Sequence, residues 1–255
     1  MNIVELLTEG VHAFQTGNIL QAKNNYLQVL KVFPDNIDAL NFMGVLECQI
    51  GNFSIAIDYL KKAVELAPQV SHLHNNLGNA FKANQELNLA QQSYQTAYHL
   101  DPTNQEAIHN LGVILKNQGH FEEALAIFKT IIPTCPDLFQ AKLNLAEIWI
   151  EQKEYEQAII LLEPLSYEQK NNPFLFFHLG RAYFNTNQFD KAIEFYQKVI
   201  ENNKGTLWEA EALFHQALCL LAKGDNQKAQ GLFKNIEEKY PESLWSRQAS
   251  ERLKS

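Results

Sequence analysis

Between residues 73 and 97 the apolar positions fall on helical steps. Leu73, Leu77, Ala80 and Phe81 share a face, a polar break covers 83–88, and Leu89, Ala90, Tyr94 and Ala97 take the spacing up again. Such a block predicts two amphipathic helices folded back on each other across a tight turn. The block recurs along the chain. Pro34, Pro68, Pro102 and Pro136 are each 34 residues apart, and the same step carries Gly10 to Gly44, Gly78, Gly112, Ala146 and Gly180. Alanine keeps the beat at Ala22, Ala56, Ala90, Ala124, Ala158 and Ala192. The next match, Ala229, comes after 37 residues, so about three are inserted near Gly205 to Glu209. Seven units result: 3–36, 37–70, 71–104, 105–138, 139–172, 173–206 and 210–243.

The residues inside a unit have separable tasks. Glycine near the start of the polar break (Gly17, Gly51, Gly119, Gly224) suits a left-handed helix end. Small residues at the Gly78 and Ala90 positions let paired helices approach closely. Proline ends the second helix and turns the chain into the next unit.

The phrases "LGNAFKANQELNLAQQSYQTAYHLDP" and "LGVILKNQGHFEEALAIFKTIIPTCP" resemble the tetratricopeptide repeat (TPR) family in the spacing of Leu-Gly, alanine, aromatic and proline. The resemblance covers nearly the whole chain. It implies an all-α fold, a right-handed α-solenoid of helix-turn-helix hairpins whose concave groove is lined by each unit's first helix. Residues 244–255 predict a short cap helix with Leu244, Trp245, Ala249 and Leu253 turned inward. Lys170 and Lys204 replace the proline of the fifth and sixth units, and Pro133 and Pro164 fall inside second helices, which should end early or kink. The first helix has no cap. Ile3, Leu6 and Ala13 occupy one side and Val4, Leu7, Val11 and Phe14 another, which predicts a self-association or partner patch.

On the TPR pattern the groove is apolar in units one and two (Val4, Leu7, Val11, Phe14, Phe42, Val45). It is polar in units three to five: Asn75, Asn76, Asn79, Lys82, His109, Asn110, Lys116, Asn117, Asn144 and Glu147. It turns apolar again at Phe174, Phe177, Phe184, Phe214 and Leu218, interrupted by His178 and Arg181. The stretch "HNNLGNAFKANQ" is a poor helix former, costing about 2–3 kcal/mol against alanine. A ladder of Asn76, Asn110 and Asn144 along the inner wall would explain it, since each amide can both donate to and accept from an extended peptide backbone. Asparagine ladders of this kind hold peptide in the TPR arm of O-linked N-acetylglucosamine transferases, and the resemblance implies the same use here. Simple solvation of an Asn-rich face is the competing reading. The resemblance does not extend to a carboxylate clamp, because Asn75, Asn79, Asn110, Gln140 and Asn144 supply no lysine or arginine.

Charge and composition narrow the partners. A formal net charge of -8 with three arginines (Arg181, Arg247, Arg252) argues against nucleic acid. The start MNIVELLTEG lacks the pattern of a secretory leader, and no stretch of 18 apolar residues follows, so the sequence predicts no membrane insertion. Cys48, Cys135 and Cys219 form neither a disulfide framework nor a metal knuckle. Cytoplasm is the default compartment, with a secreted effector lacking a classical leader as the alternative. Scattered histidines and adjacent glutamates suggest no metal site, cofactor or catalytic apparatus. The expected function is a non-catalytic protein-interaction scaffold that binds an extended peptide segment. The alternatives are a regulatory or substrate-recruiting subunit of an enzyme on a separate chain, and an adaptor that forms a homodimer through its first helix.

Overall fold

The computed structural model describes residues 2–134 and 139–254. Cys135 and Pro136 fall outside them. The chain divides into two compact units, residues 1–136 and 137–255. The first contains α1 (Ile3–Gln15), α2 (Ile19–Val32), α3 (Ile37–Gln49), α4 (Phe53–Leu66), α5 (Ser71–Ala83), α6 (Leu87–Leu100), α7 (Gln105–Asn117) and α8 (Phe121–Thr134). The second contains α9 (Phe139–Glu151), α10 (Tyr155–Leu162), α11 (Leu165–Glu168), α12 (Pro173–Asn185), α13 (Phe189–Asn202), α14 (Leu207–Ala222), α15 (Asn226–Lys239) and α16 (Leu244–Lys254). There is no strand among the described residues.

The repeat glycines allow the hairpins to close. A Cβ added to Gly10 would lie 2.4 Å from the ring of Tyr26, one on Gly78 2.6 Å from Tyr94, one on Gly112 2.7 Å from Phe128 and one on Gly180 2.6 Å from Tyr196. Each partner ring is fully buried on the second helix. Alanine at the following register position is fully buried in every unit: Ala22, Ala56, Ala90, Ala124, Ala158, Ala192 and Ala229.

All seven hairpin turns use one backbone solution. After the first helix a residue enters the left-handed region, and the next N–H reaches back to the carbonyl five residues earlier, as Asn18 does to Ala13 at 2.8 Å and Asp225 to Leu220 at 2.9 Å. Glycine takes the left-handed place at Gly17, Gly51, Gly119 and Gly224. Gln85 (φ 65°), Lys153 (φ 65°) and Asn187 (φ 60°) take it in the other three turns.

Within each unit, successive first helices (α1, α3, α5, α7; then α9, α12, α14) come into backbone contact, and successive second helices do not. The first helices therefore form the tighter wall. The two internal prolines behave differently. α10 stops at Leu162, just before Pro164, and helix resumes only as the short α11. α8 runs on through Pro133 to Thr134 and is as long as α2, α4 and α6, contrary to the expectation of an early end. A proline in the last turn removes a single helical hydrogen bond and leaves the rest intact.

The three inserted residues lengthen a helix. α14 has 16 residues where the other first helices have 13. On the added turn, the buried Glu209 accepts from Lys239 Nζ (2.6 Å), Tyr240 Oη (2.6 Å) and Gly205 N–H (2.5 Å), tying the insertion to the end of α15. α16 packs on α14 and α15 through Ala249, Trp245 and Leu253, closing the end of the second unit. Leu244, expected to face inward, is 58% exposed because it opens the helix, ahead of the turn that packs.

Candidate interaction groove

In the first unit the asparagines join one first helix to the next. Asn76 Nδ2 on α5 donates to Asn41 Oδ1 on α3 at 2.8 Å. One repeat on, Asn110 Nδ2 on α7 donates to Asn75 Oδ1 on α5 at 3.0 Å and to Asn79 Oδ1 at 3.2 Å. Asn79 also accepts from Tyr94 Oη at 2.7 Å and donates to Glu106 Oε1 at 3.3 Å. Helix-forming propensity is thus given up for polar bonds between repeats. Asn75, 1% exposed, lies beneath the wall, and so does Asn41 at 7%.

Asn76 and Asn79 remain half-buried and line a cleft of about 330 Å³ with Phe14, Val45, Cys48, Gln49 and Glu106. That volume is at the low end for a small-molecule pocket. The cleft is open and spans α1, α3, α5 and α7, so the predicted apolar and polar parts of the inner wall meet in one place. Lys82, later on α5, is exposed, with Nζ 6.0 Å from the centroid of the Tyr94 ring. His109 is half-buried and rests edge-on against Phe128. Burial, and then the charges of Lys82 and Lys116, hold its imidazole below the usual histidine range. Lys116 is half-buried and Asn117 exposed at the end of α7.

The other predicted groove residues lie in the second unit. Asn144 Nδ2 donates to Gln140 O on its own helix at 2.9 Å. Glu147 Oε1 stands 3.7 Å from His178 Nε2, and Arg181 pairs with Glu151 at 3.1 Å. Phe177, 6% exposed, is covered by aromatic neighbours. Its ring centroid lies 5.3 Å from His215, 5.6 Å from Tyr196 and 5.7 Å from Trp208. His215 is boxed in by Phe177, Tyr196, Phe214 and Trp245, and this burial, helped by Arg181, lowers its pKa to about 4. Phe174 stays 52% exposed against Trp208.

At the start of the chain Val4 is 72% exposed, whereas Leu7 and Phe14 pack on the core of the first hairpins. Val4, Leu7 and Val11 line a shallow depression with Phe42 and Asp38. Sequence reading missed Asn41, Cys48, Glu106, Trp208 and His215 as wall residues. Asn41 carried a signal, since it stands 34 positions before Asn75.

Models of the tetratricopeptide repeat match residues 7–71, 81–138, 173–205 and 211–243. The chain belongs to the tetratricopeptide repeat family. This TPR chain is similar to the CTR9 homolog of Arabidopsis thaliana, 24% identical over 200 residues, covering 74% of the chain but only 18% of that protein. Among solved structures it is similar to Pseudomonas aeruginosa PilF (TM-score 0.69, 22% identity, 85% of this chain and 97% of that one). It is similar to PilW, a type IV pilus biogenesis factor (TM-score 0.71, 19% identity, 83% and 97%). A third, YrrB, described as a TPR protein with an unusual peptide-binding site, gives a TM-score of 0.65 at 19% identity, covering 75% and 97%. At these identities the likeness shows a TPR solenoid fold. Among the described residues no helix is long and apolar enough to cross a membrane.

Proposed function

We propose that the chain is a non-catalytic interaction scaffold that holds an extended segment of a partner protein in the first-helix cleft of its first unit. One observation carries this reading. The cleft joins the apolar side chains of Phe14 and Val45 to the amides of Asn76 and Asn79 and the carboxylate of Glu106, across four successive first helices. An extended peptide presents the matching alternation of side chains and backbone polar groups. The peptide-binding site named for YrrB supports such a use of this fold.

A peptide-display selection on the purified chain tests the proposal, counter-screened on Val45→Asp once circular dichroism has shown that the variant stays helical. Val45 is half-buried in the cleft and has no part in the asparagine bonds. Peptides that are enriched on the parent and lost on the variant support the site. No enrichment, or enrichment indifferent to the substitution, overturns it.

A further inference from the structure

The lining of the cleft holds one charged side chain, Glu106. Glu106 is exposed, has no ion pair among the described residues, and as a carboxylate only accepts. Its one intramolecular bond sets the direction of the whole chain of amides. Asn79 must turn Nδ2 toward Glu106, so Oδ1 points the other way and takes protons from Tyr94 and Asn110. Asn110 must then donate, which makes Asn75 an acceptor. Asn76 gives its amide proton to Asn41 in the same sense as the equivalent pair one repeat later. Asn79 Oδ1, the acceptor nearest Glu106, is therefore fully used. The acceptors open to a ligand include the second carboxylate oxygen of Glu106 and Oδ1 of Asn76, beside the apolar surface of Phe14 and Val45.

Resting on the peptide-cleft reading, we infer that the bound segment carries an arginine or lysine next to an apolar side chain. The apolar group packs on Phe14 and Val45, and the cation bonds to Glu106 with Asn76 Oδ1 in reach. An acidic residue in the same place would set carboxylate against carboxylate. The net charge of -8 adds a long-range bias toward basic partners.

Two synthetic probes test this by fluorescence anisotropy on the full chain: one Gly/Ser host peptide bearing Leu-Arg-Leu and the same host bearing Leu-Glu-Leu. The expected result is about tenfold tighter binding of the arginine probe, an attraction exchanged for a repulsion at one site. Glu106→Gln keeps an acceptor for Asn79 and should shrink the preference to about twofold, and Glu106→Lys should reverse it. Equal binding of the two probes, tighter binding of the glutamate probe, or a preference that stays undiminished in Glu106→Gln overturns the inference. If both probes bind equally and Val45→Asp abolishes both, the cleft stands and only its charge selectivity is lost. If neither binds better than the bare host, the inference fails, and the display selection alone decides the peptide reading.

Discussion

The α-carbon of Gly78 sits against the ring of Tyr94 so closely that a Cβ would fall 2.6 Å from Cε1 and 2.7 Å from Cδ1. The ring has nowhere to go, being fully buried with its hydroxyl held by Asn79. Gly78→Ala should therefore destabilise the first unit by about 1–3 kcal/mol through overpacking, outweighing the gain of about 1 kcal/mol in helix propensity. Gly231, exposed within α15 with nothing near its Cβ position, should respond oppositely, with Gly231→Ala stabilising by about 1 kcal/mol. Urea unfolding of the two variants checks both signs.

Lys153 holds a left-handed backbone with its side chain exposed. A non-glycine residue pays about 1–2 kcal/mol in that conformation, and glycine gives back about 0.5–1 kcal/mol in unfolded-state entropy. Lys153→Gly should raise stability by about 0.5–1 kcal/mol, seen as a thermal midpoint higher by about 2 °C. Gly17→Ala should act in the opposite direction.

Glu209 links acid stability to the inserted turn. Burial by itself would raise its pKa, but the bonds from Lys239, Tyr240 and Gly205 outweigh that and hold it below the usual carboxylate range. With the folded pKa depressed, its stabilisation is complete above the unfolded value of about 4.3 and fades as pH falls through the folded one. Glu209→Gln should flatten this part of the stability curve below pH 4. It should also lower stability at pH 7, since the bonds from Lys239 and Tyr240 lose their charged acceptor. Urea midpoints at pH 7 and in the acid range test both statements.

His215 gives a second acid-sensitive contribution in a different window. Its imidazole titrates at about 4 inside its aromatic box, whereas an unfolded histidine takes a proton near 6.5. Between those values the unfolded chain binds more protons, so stability should fall as pH drops from about 6.5 toward 4. His215→Phe should reduce that slope to what the half-buried His109 contributes, and an NMR titration of the parent should place the His215 midpoint near 4.

The seven-unit phase, the packing role of glycine and alanine, and the helical hairpins were all readable in the sequence because they follow from local spacing. The side of the wall on which a polar residue lands was less so. Asn75 reads as a groove residue by register, yet it is buried because Asn110 arrives from the next helix to bond it, and spacing within one helix does not reveal a partner on another. Phe177 was read as a groove aromatic and is covered by Trp208 and His215, brought up by α14. The left-handed turns at Gln85, Lys153 and Asn187 were hidden because glycine marks that conformation and these residues do not. Pro133 and Pro164 look alike in sequence, and their distance from the helix end separates them.

The bonds from Asn76 to Asn41 and from Asn110 to Asn75 each span 35 residues, one more than the 34-residue repeat. Excision of residues 71–104 would bring Asn110 into the place of Asn76, opposite Asn41, so the shortened chain would meet at its new joint with a compatible amide pair. Duplication of the same segment would likewise create no mismatched seam. The asparagines thus act as identical couplings, and the first unit can gain or lose a whole repeat without inventing a new interface, whereas a gain or loss of any other length would put unlike side chains face to face.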